Sequence, residues 1–415
     1  MTKTPISVTN GSRCLLCYSF LWSMKSHVFI IVAALCASCG LGQMDVGVHS
    51  GSDGIWRGPS YGKHMTGTVY AVGIDYPDGY DWRTDAENGK VRTYLVLFAD
   101  GIPVLKIPVG PEYETSSDGA RHRIRAGCLY TDYTDGNTTV IKRDGLELVR
   151  YEGAEDVLCL EVFGSRVHFL TSPVGGSGFR YRVDGALVLD KPEGSPFLHM
   201  SECADSVRFF FSQIQKTSAG SEQRYYQVSE GIVRMMDVAA DVSNVWDMRM
   251  ADGRASFVGT LSDGNLILVS GEAVDHMQLR LSQDVVSCGF CDSDRLSVCV
   301  RLRYSGDNLM SDVIWLGNGE QKMYRIGQTL SAVYVDDGGC NAVMNPSDGR
   351  DGIIFRNSSA NLIPQGYRIC SKNCMTRRDS VLYVALSASG NGCPVLWRNG
   401  ELDTLKMNGP LTCLR

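Results

Sequence analysis

Six histidines, twelve cysteines and 46 carboxylates supply the reactive side chains beyond residue 38 of this 415-residue chain, and their spacing limits what they can do. His49, His64, His122, His168, His199 and His276 form no His-x-His or His-Glu-x-x-His pair, so no helix or strand presents two imidazoles to one metal ion. Cys288-x-x-Cys291 and Cys370-x-x-x-Cys374 are the best zinc-like pairs, but the stretch between them far exceeds zinc-ribbon spacing. Cys128, Cys159 and Cys299 fall inside apolar runs, where a thiol behaves as a small hydrophobe. With Cys39 set aside the remaining eleven are odd in number, leaving one or two disulfides or a set of free thiols as the open alternatives.

The motifs of nucleophilic and phosphate chemistry are missing. There is no Gly-x-Ser-x-Gly elbow and no Gly-Lys-Ser/Thr phosphate loop. Ser50-Gly-Ser-Asp-Gly-Ile-Trp56 has the letters of a sialidase Asp box at the wrong spacing. No metal and no cofactor is expected. A pair of carboxylates working as acid and base across a cleft would come from distant parts of the chain, which spacing alone does not reveal.

One segment stands out. Gly73 to Lys90 is a polar loop of about eighteen residues carrying Tyr76, Tyr80 and Trp82 beside Asp75, Asp78 and Asp81, and loops beyond ~12–15 residues are often functional. Aromatic faces next to carboxylates can stack on a sugar ring and accept its hydroxyls. Tyr76, Tyr80, Trp82, Asp78 and Asp81 are therefore the candidate ligand-binding residues. The alternative is that Trp82 folds back over the sheet edge while the acids solvate the loop.

The elements that must position such a loop are strands. Glycine makes up about 11% of the chain (45 of 415) while proline is scarce at 13, a balance that favours tight turns between short strands. Asp100-Gly101, Asp144-Gly145, Asp184-Gly185, Glu230-Gly231, Ser270-Gly271, Asn318-Gly319, Asn357-Ser358 and Asn399-Gly400 recur every 39 to 48 residues. Such pairs mark two-residue hairpins, because both central residues of a type I′ turn need positive φ. Alternating apolar runs flank them, as in Phe179-Arg-Tyr-Arg-Val183 and Pro394-Val-Leu-Trp397. Four strands per ~43 residues is the size of one β-propeller blade. The sequence predicts an all-β fold, a single β-propeller of eight four-stranded blades, with seven as the alternative. The tail Gly409-Pro-Leu-Thr-Cys-Leu-Arg415 is expected to close the ring by adding a strand to the first blade, which lacks an innermost one.

The amino-terminal segment reads as a leader. After Met24 and Lys25, an apolar run of about eleven residues, Val28 to Ser38, precedes Cys39-Gly40. That run is too short to span a bilayer as a helix and fits a signal peptide. The expected organisation is 1–38 signal segment with Met24 as the true start, 39–60 tether, and 61–415 propeller. Loss of Lys3, Arg13 and Lys25 with the leader takes the net charge from −6 to −9, which argues against nucleic acid as a partner.

The leader resembles a bacterial lipoprotein signal, although Cys36 stands where the usual pattern has Leu; ordinary cleavage of the leader is the alternative. Val395-Leu-Trp-Arg-Asn-Gly-Glu401 and Val313-Ile-Trp-Leu-Gly-Asn-Gly-Glu320 resemble a motif of β-propeller lipoproteins from Bacteroidota. The resemblance implies acylation of Cys39, attachment to the membrane of a bacterial cell envelope, and no assigned catalytic residues. Gly40-Leu-Gly-Gln-Met44 follows the cysteine in place of the acidic residues linked to surface export, which favours the periplasmic side. The expected function is a binding or interaction module for a glycan, an envelope component or an envelope protein. A polysaccharide hydrolase or lyase, and a structural subunit of an envelope assembly, are the alternatives.

Overall fold

The computed structural model describes residues 54–415 apart from 64–66, 79–92, 110–121, 204–205, 219, 252, 271–272, 278–283, 291–297, 304–310, 318–319, 326–331, 337–338, 345–351, 357–358, 364, 370–373 and 389–392; between 273 and 340 it describes backbone strands only. These residues belong to a compact unit running from His49 to Arg415.

Every regular element among them is a β-strand, and the strands fall into eight antiparallel sheets that follow one another along the chain. The third sheet shows the pattern. Glu155–Phe163, Arg166–Pro173, Phe179–Val183 and Ala186–Lys191 pair in sequence order as a simple meander. The second, fifth, sixth and seventh sheets repeat it. In the fourth and eighth sheets two short strands share the place of the first: Gly194–Pro196 and Ser201–Cys203 both pair with Ser206–Thr217, and Tyr367–Arg368 and Met375–Arg378 both pair with Val381–Ala388. The first sheet takes one of its edge strands from the carboxy-terminal tail. Leu411–Leu414 pairs with Tyr70–Asp75, setting Ala71 opposite Leu414 and Gly73 opposite Leu411. Its outer edge carries Trp56–Arg57, paired with Ile102–Val109 and following a buried Ile55, so sheet structure begins inside the stretch expected as tether.

Five of the eight expected turns lie among the described residues, and all five have both central residues at positive φ: Asp100-Gly101, Asp144-Gly145, Asp184-Gly185, Glu230-Gly231 and Asn399-Gly400. The turns at 271, 319 and 357–358 lie outside the described residues. At three turns the aspartate does a second job. The Asp100, Asp144 and Asp184 carboxylates accept the backbone N–H of Val69, Leu129 and Val167 at 2.9, 2.8 and 2.8 Å, tying each turn to the second strand of its sheet. Gly145 is needed for space as well as for φ, because a Cβ there would sit 2.8 Å from side-chain carbons of Ile55 and Ile107.

Among the residues of described burial, neighbouring sheets bury their faces against one another, as strands with apolar residues on both sides must. Leu95, Leu97 and Leu105 of the first sheet pack with Ile124 and Leu129 of the second. Tyr130 and Ile141 of the second pack with Leu160 and Phe169 of the third. Phe179 and Tyr181 of the third meet Phe209 and Phe211 of the fourth, and Phe210 and Tyr225 meet Met248 and Phe257 of the fifth. Leu382, Val384 and Trp397 of the eighth sheet share a cluster with Val69, Ala71 and Phe98 of the first. Trp397 is thus core; the Trp315 side chain lies outside the described residues.

Candidate functional site

The first-sheet loop leaves a tightly held root. Asp75, at the end of its strand, accepts the Asn408 backbone N–H at 2.9 Å through Oδ1 and Lys106 Nζ at 2.7 Å through Oδ2. The Tyr76 N–H donates to the Asn408 carbonyl at 2.8 Å, and Asn408 Nδ2 donates to Asp78 Oδ1 at 2.7 Å. Gly409 lets the tail approach this closely, since a Cβ there would collide with the Ile74 carbonyl and lie 2.8 Å from the Tyr76 ring. The Tyr76 ring is partly buried against the apolar cluster of the first two sheets, while Asp78 is exposed. The structure therefore brings Tyr76 and Asp78 together against the carboxy-terminal tail. Tyr80, Asp81 and Trp82 lie outside the described residues.

Two of the described histidines, His122 and His168, are core groups. His122 is buried with one ring nitrogen 2.6 Å from Thr412 Oγ1, and burial, reinforced by the charge of Arg123, lowers its pKa to about 4. His168 is buried 2.8 Å from the Tyr181 hydroxyl, and its pKa is lowered mainly by burial. Cys128, Cys159, Cys203, Cys374, Cys393 and Cys413 are free thiols, the first two and Cys374 buried. Cys288, Cys291 and Cys370 have no described side chain, and among the described residues no group of three metal-ligating side chains converges.

The deepest charge in the described molecule lies between the second and third sheets. The Glu155 carboxylate has no exposed side-chain surface. It accepts Arg180 Nη1 at 2.6 Å, Arg182 Nε and Nη2 at 3.0 and 2.8 Å, Thr171 Oγ1 at 2.6 Å and the Tyr151 hydroxyl at 3.1 Å. Burial alone would raise its pKa. The donors, Arg182 foremost, outweigh that and hold it at about 2. The Arg182 guanidinium also lies 4.0 Å over the Tyr151 ring. Nearby, Arg123 bridges Asp132 and the Val157 carbonyl, each at 2.6 Å, and Arg125 pairs with Glu161 at 2.6 Å, lacing the inner strands of these sheets together. A carboxylate with this many fixed donors is a structural group.

A different arrangement occupies the fourth sheet. At the end of that sheet carrying the Glu230-Gly231 turn, a depression of about 420 Å³ is lined by Arg208, Gln227, Ser229, Glu230, Ile232 and Arg234. The ladder sets Arg208 opposite Ser229, Gln227 opposite Arg234 and Ser229 opposite Ile232, so alternation places five of the six on one face. Arg208 is partly buried, and its Nε is withdrawn from water without a hydrogen-bond partner. The sequence offered no sign of this site: Arg208 in Val207-Arg-Phe-Phe-Phe211 looks the same as Arg182 in Phe179-Arg-Tyr-Arg-Val183.

No protein-family model matches the chain, and no curated protein matches it. Among solved structures it is similar to the β-propeller domain of the Trilobed protease from Pyrococcus furiosus, at 12% identity and a TM-score of 0.46, covering 73% of this chain and 96% of that one. It is also similar to an acylaminoacyl peptidase in complex with Z-Gly-Gly-Phe-chloromethyl ketone, at 11% identity and 0.45, covering 80% of this chain and 58% of that one. The acylaminoacyl peptidase of Pyrococcus horikoshii gives 10% identity and 0.43, with 79% of this chain and 57% of that one covered. The chain thus spans under three fifths of those peptidases, and likeness at this level carries no activity, substrate or partner with it.

Proposed function

We propose that this chain is a single eight-bladed β-propeller, lipid-anchored through Cys39 on the periplasmic side of a bacterial envelope, that binds a glycan or another envelope component. Support for the ring comes from the meander order of eight successive sheets, the packing of the eighth on the first, and the carboxy-terminal strand in the first sheet. Such a strand links the two ends of a ring and covers edges that would otherwise be exposed.

The binding reading is carried by the root of the first-sheet loop. Asp75, Tyr76 and Asp78 are fixed by Asn408 and Lys106, so the segment bearing Tyr80, Asp81 and Trp82 departs from a rigid base, as binding loops on scaffolds do. The test is a glycan and polysaccharide binding screen on the purified full chain in detergent, with released reducing sugar measured in the same samples. Binding without release, lost when Tyr76, Tyr80 and Trp82 are all replaced by alanine, is the expected result. Release of sugar would replace the reading with a hydrolase or lyase. Binding unchanged in the triple variant would remove the loop from it.

A further inference from the structure

We propose that the depression on the fourth sheet between Arg208 and Arg234 is a binding site for an oxyanion, a carboxylate or phosphate group carried on a small hydroxylated ligand. This inference goes beyond the reading of the first-sheet loop and stands if that reading fails.

Four arginines of the second and third sheets each have a carboxylate of the chain against them. Arg123 has Asp132, Arg125 has Glu161, and Arg180 and Arg182 share Glu155, the shortest N···O distance of each pair being 2.6 to 2.8 Å. Arg208 differs from these four. No carboxylate lies within 4 Å of it among the described residues, and its Nε is closed off from solvent with no acceptor of the chain in reach. Burying a guanidinium donor without an acceptor is costly, and with no carboxylate of the chain against it the charge of the group is left to a ligand in the depression it lines.

Geometry points the same way. Arg208 and Arg234 stand on the first and third of three adjacent strands, on one face, two strand spacings across and two residues along, or ~12 Å apart. Two guanidinium forks reaching inward from that separation can hold a single anion between them, and the planar fork suits carboxylate and phosphate oxygens. The remaining wall is not purely cationic. Gln227 and Ser229 offer both donors and acceptors, Glu230 offers an acceptor, and Ile232 is 58% exposed beside them. Glu230 would repel a bare anion brought close to it, but it would accept a hydroxyl. The combination therefore fits an oxyanion attached to a hydroxylated body with one apolar face. A volume of about 420 Å³ falls within the ~300–1,000 Å³ of small-molecule sites.

The test is isothermal titration of the purified full chain at low ionic strength with glucuronate, with inorganic phosphate, and with glucose as the uncharged control. Glucuronate or phosphate is expected to bind and glucose is not. Affinity should fall about tenfold or more in both Arg208→Met and Arg234→Met, the loss of one charged hydrogen-bonding partner. Arg234 is exposed, so its variant carries the test if Arg208→Met does not fold, with circular dichroism as the check. Glucuronate without phosphate identifies a sugar carboxylate, and phosphate without glucuronate identifies a phosphorylated ligand. Alanine at Tyr76, Tyr80 and Trp82 should leave this binding intact, which separates it from the loop. Absence of heat with both anions, or affinity in both arginine variants unchanged from the parent protein, would overturn the proposal.

Discussion

Arg182 of the third sheet and Arg208 of the fourth are both guanidinium groups drawn in among strands, and their surroundings differ in one respect. Arg182 donates twice to Glu155 and covers the Tyr151 ring. Arg208 borders an open depression and leaves its Nε unpartnered. Where the chain supplies the counter-charge, the cluster is closed and stabilises two neighbouring sheets against each other. Where it does not, the group is held ready for a charge from outside, at a cost to the unliganded fold. The contrast distinguishes the part of this scaffold that holds it together from the part free to recognise something.

The strongest way to break the comparison is to remove the counter-charge from the closed cluster. Glu155→Gln leaves Arg180 and Arg182 without their carboxylate, and breaking a buried pair in this way costs about 3–5 kcal/mol; urea unfolding should show a loss of that size. Acid should reach the same cluster. Glu155 has its pKa held at about 2 against an ordinary 4.5, so its contribution is complete above pH 4.5 and is lost as pH falls toward 2. His122, at about 4 against 6.5, contributes in full above pH 6.5 and its share is lost as pH falls toward 4. Each shift corresponds to roughly 3 kcal/mol. Stability measured against pH should therefore decline in two stages, and His122→Asn should flatten the first while Glu155→Gln flattens the second.

A smaller effect is expected at the turns. Asp144→Ala removes the acceptor for the Leu129 N–H and the Tyr61 hydroxyl, the latter at 2.9 Å, and places alanine at a φ of 51°. A loss of about 2 kcal/mol should follow, with Tyr61→Phe accounting for about 1 of it. The smallest effect has the opposite sign. Arg208→Met removes an unsatisfied buried donor and should stabilise the unliganded protein by about 1 kcal/mol, whereas Arg182→Met should destabilise it. Thermal unfolding of the two variants side by side checks both signs.

Much of the scaffold was legible because its signals are local. Asp100-Gly101 and its counterparts state their backbone conformation in two residues, and Phe179–Val183 alternates as a strand must. The pairing of the carboxy-terminal tail with the first sheet could be anticipated because that repeat lacked a strand. The doubled short strands before Ser206–Thr217 and Val381–Ala388 could not, since Gly194–Pro196 and Tyr367–Arg368 are too brief to carry a period. The site was harder still. Glu155 meets Arg182 across 27 positions through three strands and a bulge between Tyr181 and Arg182, a match that no spacing rule contains. Tyr76 reads as a candidate stacking face, yet its ring is partly buried beside the chain's tail. Arg208 and Arg182 are indistinguishable until their neighbours are known.

The most direct measurement is the thermal unfolding midpoint of the parent protein, Arg208→Met and Arg182→Met, each with and without glucuronate or phosphate. A ligand that binds the folded state alone raises Tm by mass action. The account predicts that at least one anion raises the midpoint of the parent and of Arg182→Met, and leaves Arg208→Met, already the most stable of the three without ligand, unmoved. An equal rise in all three, or no rise in any, would contradict it.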